Sequence, residues 1–300
     1  MLAELSAGSH WFTYPNVDPV AIHITKNFGI RWYGVSYVIG ALLVYLQLQS
    51  KSSRARTHLT VEQAQEFIVA TMIGIIIGGR LFFLLADMLT PVAKGGHPLS
   101  FYLQNPLEII AIWNGGMAFH GGLLGGIAGA ALYVRRINGS IWNVLDEAVL
   151  WLPVAILLTR ITNFINHELP GRVTDSPIGI QFPGYDGYRY PSQLFEGAGM
   201  VLVVLPLVWL VRSRPDYFRP GAVFWAFIAG YGFVRTIVEF YREPGIEFLG
   251  LTGAQYLTIA MVVLGAVMIW LGQRKPMPPA QPAQPPRQAR RAKVRKHVRT

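Results

Sequence analysis

Seven runs of apolar residues, near 30–49, 66–88, 117–134, 144–163, 194–211, 221–241 and 255–272, divide this 300-residue chain. A helix needs about 20 such residues to cross the hydrocarbon of a bilayer. Inside lipid every backbone polar group must find its partner within the protein, which leaves helices as the economical solution for runs of this kind. The expected fold class is therefore an all-α integral membrane protein, a bundle of seven transmembrane helices. Only 14% of the residues are charged, against about 25% in an average soluble domain.

The formal net charge of +10 does not point to nucleic acid, because the basic residues are sorted by position. Lys51, Arg54 and Arg56 follow the first run, Arg135 and Arg136 the third, Arg212, Arg214 and Arg219 the fifth, and the largest cluster lies beyond Arg274. On an alternating seven-span path all of these fall on one side. The positive-inside rule makes that side cytoplasmic, with the N-terminus outside and the C-terminus inside. No nucleic-acid partner is expected.

The domain organisation follows. Residues 1–29 form an outer N-terminal segment without the basic, apolar and small-residue succession of a cleavable signal peptide. Residues 30–272 form the membrane domain, with a small irregular or β-rich outer cap at about 164–192, where Gly, Pro, Asp and Tyr accumulate. A second outer stretch, about 91–116, carries aromatic residues suited to the membrane interface and is expected to lie flat on it. Residues 273–300 combine a proline-rich spacer with a basic end and are expected to be a disordered cytoplasmic tail near anionic lipid. The chain has no cysteine, so disulfides, thiolate metal sites and a cysteine nucleophile are excluded. No metal or other cofactor is expected.

His120 stands inside an apolar run, in Gly115-Gly-Met-Ala-Phe-His120-Gly-Gly-Leu-Leu-Gly125. An ionisable group there is costly to bury, and its default reading is functional. Gly121, Gly125 and Gly129 repeat every fourth residue beside it, as do Gly122 and Gly126. Such a stripe lets a neighbouring helix backbone, or a ligand, approach closely. Both readings stand.

Depth can be counted at about 1.5 Å per helical residue from the cytoplasmic marker of each run. His120 lies roughly 22 Å above Arg135, Arg235 roughly 24 Å above Arg219, Arg160 roughly 21 Å above Asp146, and Tyr33 roughly 27 Å above Lys51. In a core about 30 Å thick, all four reach the outer leaflet. Arg235, Glu239 and Arg242 share one helix face at i, i+4 and i+7, and Arg160 and Asn163 share another. Arg235 and Glu239 could simply neutralise each other as a buried pair. Arg160 has no acid four residues away, so an anionic ligand is its expected partner, and a guanidinium suits phosphate. With an imidazole able to take a proton near neutral pH, these residues point to an enzyme acting on a phospholipid head group from the outer side. A transporter or flippase of outer-leaflet phospholipid is the alternative. It would spread polar residues over the whole depth, and Arg80 and Asp87 in the second run do lie at other depths.

The motifs resemble the prolipoprotein diacylglyceryl transferase family of bacterial plasma membranes. The resemblance rests on the His120 motif, Ile30-Arg-Trp-Tyr33-Gly34, Arg160-Ile-Thr-Asn163 followed by Glu168-Leu-Pro-Gly171-Arg172, and Arg235-Thr-Ile-Val-Glu239-Phe-Tyr-Arg242-Glu243. It runs from about residue 30 to 272. It implies transfer of the sn-1,2-diacylglyceryl group of phosphatidylglycerol to the thiol of the lipobox cysteine in a prolipoprotein signal peptide, with glycerol 1-phosphate released. It also implies location in the bacterial inner membrane, with the active site toward the periplasmic leaflet.

Carried over residue by residue, the resemblance makes His120, Arg235, Glu239 and Tyr33 catalytic. Arg160, Asn163, Glu168 and Gly171 become the phosphatidylglycerol-binding set. Two departures accompany it. Tyr190 stands where many members have histidine, so it is left out of the catalytic set. His167 stands where many have glycine and is read as local variation.

Overall fold

The computed structural model describes residues 10–24, 29–92, 95–112, 115–243, 245 and 247–274, without the side chains of Phe119, His120 and Glu247. All seven apolar runs are helical. They correspond to α1 (Trp32–Gln49), α3 (Val61–Leu89), α6 (Phe119–Arg136), α7 (Ile141–Ala148) continued into α8 (Leu152–Ile165), α9 (Ser192–Gly199) continued into α10 (Leu205–Arg212), α11 (Ala222–Glu239) and α12 (Gly253–Gln273). Between them lie α2 (Lys51–Thr57), α4 (Leu99–Gln104) and α5 (Leu107–Ile110).

Among the described residues, five helices are long and apolar enough to cross a membrane: Val61–Leu89, Ile141–Ile165, Ser192–Arg212, Ala222–Glu239 and Gly253–Gln273. α1 and α6, 18 residues each, fall outside that set. The first ends in Gln47 and Gln49 and the second in Arg135 and Arg136. Large apolar side chains such as Val69, Ile73 and Leu85 on α3, and Leu257 and Val263 on α12, face away from the protein. Helices of a water-soluble domain present charges there, whereas lipid accepts these surfaces.

Local sequence sets the helix ends. Thr60 with Gln63 and Thr252 with Gln255 form capping boxes at the starts of α3 and α12, each satisfying two otherwise orphan backbone donors. At α11 the cap comes from another helix, since Asp146 on α7 accepts from the backbone N–H of Gly221 (2.7 Å) and Phe224 (2.8 Å). The join between α9 and α10, Met200–Val204, is a π-helical turn. Pro206 follows it, and a proline ring lacks the N–H and collides with the carbonyl four residues back, which favours a widened turn.

The glycine stripe of α6 packs on α3. Gly121 meets Gly78, Gly125 meets Gly74 and Gly129 meets Ala70 so closely that a Cβ at any of the three glycines would overlap the facing carbonyl, while Gly122 and Gly126 face Ile75. The sequence left room for a ligand against this stripe. Helix α3 fills it instead.

Among the described residues, three antiparallel two-stranded ladders accompany the helices: β1 (Val20–His23) with β2 (Gly29–Arg31), β3 (Ile180–Gln181) with β4 (Tyr188–Arg189), and β5 (Glu247–Phe248) with β6 (Leu251–Thr252). Residues 166–191 form a largely irregular cap around the β3–β4 ladder. Phe164, Ile180 and Phe182 are its small core, closed by Tyr14 from the N-terminal segment. The Tyr14 hydroxyl donates to the carbonyls of Phe164 (3.1 Å) and Ile165 (3.0 Å). In the stretch expected to lie flat, α4 and α5 are short helices. Trp113 of that stretch, residues 1–9, and the expected disordered tail from Lys275 onward lie outside the described residues.

The two polar residues without assigned partners in the second run find them here. Arg80 donates to the carbonyls of Ile109 (3.0 Å), Gly115 (2.8 Å) and Gly116 (2.9 Å) and also to that of Glu108. Asp87 accepts from the backbone N–H of His97 (3.1 Å) and the hydroxyl of Tyr102 (2.7 Å). Burial, and then the Asp87 carboxylate, push the Tyr102 hydroxyl up to about 12. Both residues tether the 95–116 stretch to α3.

Candidate active site

At the cap end of the bundle, side chains from α1, α8, α9 and α11 meet in one hydrogen-bonded network. Its hub is Glu196 on α9, whose side chain is fully buried. One carboxylate oxygen pairs with Arg160 of α8 at 2.6 Å, and the other faces Arg235 of α11 at 3.9 Å. Two guanidinium groups from different helices are thereby held on one carboxylate. The partner expected for Arg160 was an anionic ligand; the structure supplies an internal one. A charge buried this deeply requires pairing, and Glu196 and the two arginines meet that need together.

Two branches leave this hub. On one side Arg160 donates to the Asn163 side-chain oxygen at 3.0 Å, one helical turn further along α8. The Asn163 amide donates to the Tyr33 hydroxyl and to the Glu168 carboxylate (3.1 Å), and Tyr33 in turn donates to Glu168. On the other side Arg235 pairs with Glu239, one turn along α11. Glu239 also lies 3.9 Å from Arg242 and accepts from the Thr252 hydroxyl at 3.1 Å.

Seven of the eight site residues expected from the sequence thus stand in or beside one network. Gly171 borders it through backbone geometry. Its N–H donates to the Tyr190 carbonyl at 2.8 Å, and a Cβ would overlap the carbonyl of Tyr241, so only glycine fits. The eighth, His120, lies in the first turn of α6, on the helix pair α3–α6, and its side chain lies outside the described residues.

The two departures from the family pattern also find physical settings. Tyr190 packs edge-on against Tyr241, with ring centroids 5.2 Å apart, in an aromatic cluster with Phe195. His167 holds φ at +58°, the left-handed region that glycine enters freely, and its ring meets Tyr14 edge-on at 4.7 Å.

Glu196 was missed in the sequence reading, although a signal was present: it is a carboxylate inside the fifth apolar run. Gln193, one turn before it, is fully buried too and donates to the Glu168 carbonyl at 2.6 Å, fixing the loop that carries Glu168. Among the described residues, no group of three or more His, Asp or Glu is placed to hold a metal ion.

Chemically, the network concentrates donors. The Arg160 Nε is buried and takes no acceptor from the protein. Two arginines on independent helices, with a tyrosine and an amide beside them, suit a phosphate-bearing group that gains charge during reaction.

A family model described as Prolipoprotein diacylglyceryl transferase matches residues 19–271. The phosphatidylglycerol–prolipoprotein diacylglyceryl transferase of Geobacter sulfurreducens is 40% identical over 274 residues, covering 89% of this chain and 99% of the relative. Proteins of the same name from Bordetella parapertussis (38% over 270 residues, 88% and 98% covered) and Brucella anthropi (34% over 277 residues, 87% and 94% covered) are similar as well.

Proposed function

The chain belongs to the prolipoprotein diacylglyceryl transferase family, and we propose that it transfers the sn-1,2-diacylglyceryl group of phosphatidylglycerol to the lipobox cysteine of a prolipoprotein signal peptide. This is the first step of bacterial lipoprotein maturation. It takes place in the inner membrane, which all seven long helical segments cross, with the N-terminus and the cap outside and the site toward the periplasmic leaflet. The observation that carries the reading is that Arg160 and Arg235, held together by the buried Glu196, continue into Asn163, Tyr33, Glu168 and Glu239 in one network.

The thiol loses its proton to His120, and the thiolate attacks the sn-3 carbon of the diacylglyceryl group. A carbon–sulfur bond forms as the bond between that carbon and the phosphate ester oxygen breaks. The electron pair leaves with glycerol 1-phosphate. Arg160 and Arg235 stabilise the charge that grows on this leaving group, each most useful where water is excluded. Glu239 orients Arg235, Tyr33 and Asn163 position the lipid, and Glu168 and Gly171 hold the wall behind them. Glu196 keeps the two arginines aimed at one place before substrate arrives, so no reorganisation is needed at the moment of reaction.

The test incubates the purified full chain with phosphatidylglycerol and a peptide bearing a lipobox cysteine. Mass spectrometry should find a diacylglyceryl thioether on the peptide together with free glycerol 1-phosphate. Folded protein that yields neither product would favour transport of phospholipid instead. Parent-rate transfer by a folded His120→Gln variant would remove His120 as the base.

A further inference from the structure

A second buried polar cluster lies at the opposite end of the bundle, on the side where the basic loops collect. Glu147 on α7, fully buried, pairs with Arg212 (2.6 Å) and lies 3.7 Å from Arg56, while Gln47 donates to its other oxygen at 2.9 Å. Beside it opens a cavity of ≈ 230 Å³ whose wall includes Arg56, Asn143, Asp146, Glu147, Phe218 and Arg219.

The Arg219 side chain leaves buried donors unused in this wall. Both Asp146 oxygens are occupied by backbone N–H groups at the start of α11. The Glu147 carboxylate is shared between Gln47 and the arginines. Arg219 is different, because its Nε and Nη1 are buried and take no acceptor from the protein. Both donors are unused by the protein, and a guanidinium is the side chain that best matches phosphate oxygens. Arg56 and Arg219 in the wall, with Arg212 behind on Glu147, outnumber the two carboxylates by one.

Its surroundings say where such an anion would come from. Tyr217 is 68% exposed and Trp142 is 38% exposed. Trp142 packs with tilted rings against Phe224 and Trp225, and it closes on Gly221 just past Arg219. Tyrosine and tryptophan with an apolar body and a polar tip collect at the depth of lipid head groups.

We infer that this cavity is a second anion site, which takes the phosphate of an anionic lipid head group on the face opposite the diacylglyceryl transfer network, with Arg219 as its principal ligand and Arg56 beside it. The site does not depend on the proposed transfer reaction. Its occupant ties the 213–221 loop to α7, and so braces the inner ends of the two helical segments whose outer ends carry Glu196 and Arg235.

The test uses the full chain in phosphatidylcholine nanodiscs and follows thermal unfolding. One arm adds inorganic phosphate at constant ionic strength, and the other dopes the discs with phosphatidic acid, which has a phosphate but no glycerol leaving group. A saturable rise in Tm with phosphatidic acid alone identifies a lipid head group, and a rise with both probes identifies phosphate in general. In Arg219→Gln the midpoint of the response should weaken by about tenfold, the scale of lost hydrogen bonds to a charged group, and Arg219→Lys should recover part of it. Hydrogen exchange on the parent chain gives a reading that needs no substitution, since phosphatidic acid should slow exchange within 213–221. No Tm response to either probe, the same midpoint in Arg219→Gln, or unchanged exchange in that loop would overturn the proposal.

Discussion

The two ends of the bundle use the same device to different effect. At each end a fully buried glutamate, Glu196 or Glu147, lies between two arginines from separate helical segments, with a side-chain amide nearby. Around Glu147 the remaining bonds run to fixed structural groups: Arg56 donates to the Arg212 carbonyl, Asn143 to the Arg56 carbonyl, and Trp151 to Gln47. Around Glu196 they run on to further polar side chains, namely Asn163, Tyr33, Glu168 and Glu239. A buried ion pair is therefore weak grounds for assigning chemistry. What sets the cap end apart is its surplus of titratable and donor groups beyond those needed to neutralise the hub.

That contrast can be broken at either end. The largest effect is expected at the cap end, where Arg160→Gln or Arg235→Gln should lower the turnover number about 100- to 1000-fold, the scale of removing a preorganised donor from a developing negative charge. Unfolding should shift far less, since Glu196 keeps one arginine. Equal losses of stability and rate would erase the distinction.

At the far end Glu147→Gln should behave inversely. Stranding Arg56 and Arg212 should destabilise the fold by about 3–5 kcal/mol, the range for removing one member of a buried pair, with the rate per folded molecule near the parent value. Thermal unfolding and a transfer assay on the same preparation read both quantities. A smaller change of the same kind follows for Gln47→Leu, which deprives the Glu147 carboxylate and the Trp151 indole of a partner. About 1–3 kcal/mol is expected, with no change in rate.

The smallest effect belongs to neither cluster. Asp18 accepts from the Val20 N–H and from His23, both at 2.8 Å, and these bonds hold its carboxyl below the usual carboxylate range. The stability it adds is present above the ordinary carboxylate pKa and disappears as pH falls through the lower folded value. Asp18→Asn should therefore lower Tm slightly at neutral pH, and the difference should close in acid. A difference that grew in acid would reverse the sign of this linkage.

How much of this was legible in the sequence varied with the kind of interaction. Apolar length placed all seven helical segments, because burial in lipid depends on composition more than on partners. Counting helical rise brought Arg160, Arg235, Tyr33 and His120 to one level; the structure joins the first three in one network, and the His120 side chain lies outside the described residues. Glu196 was overlooked because one acid near the start of a span reads as a boundary residue until its partners are known. The stripe of Gly121, Gly125 and Gly129 has its counterpart in Ala70, Gly74 and Gly78, which share the same spacing in the second run. That match was readable, and it favours helix packing. The ligands of Arg80 were not readable, since backbone carbonyls of a loop leave no pattern in side chains.

The widened turn at Met200–Val204 has a consequence for chains of slightly different length. A π-helical turn holds about one residue more than the α-helical turn it replaces, so deleting one residue there would restore a regular α-helix and leave α9 nearly in phase with α10. The same deletion within the regular turns of α10 would instead rotate Glu196 by about 100° relative to the inner end of the segment, away from Arg160 and Arg235. The widened turn is thus a stretch where the length of this segment can change by a residue without altering which way Glu196 points.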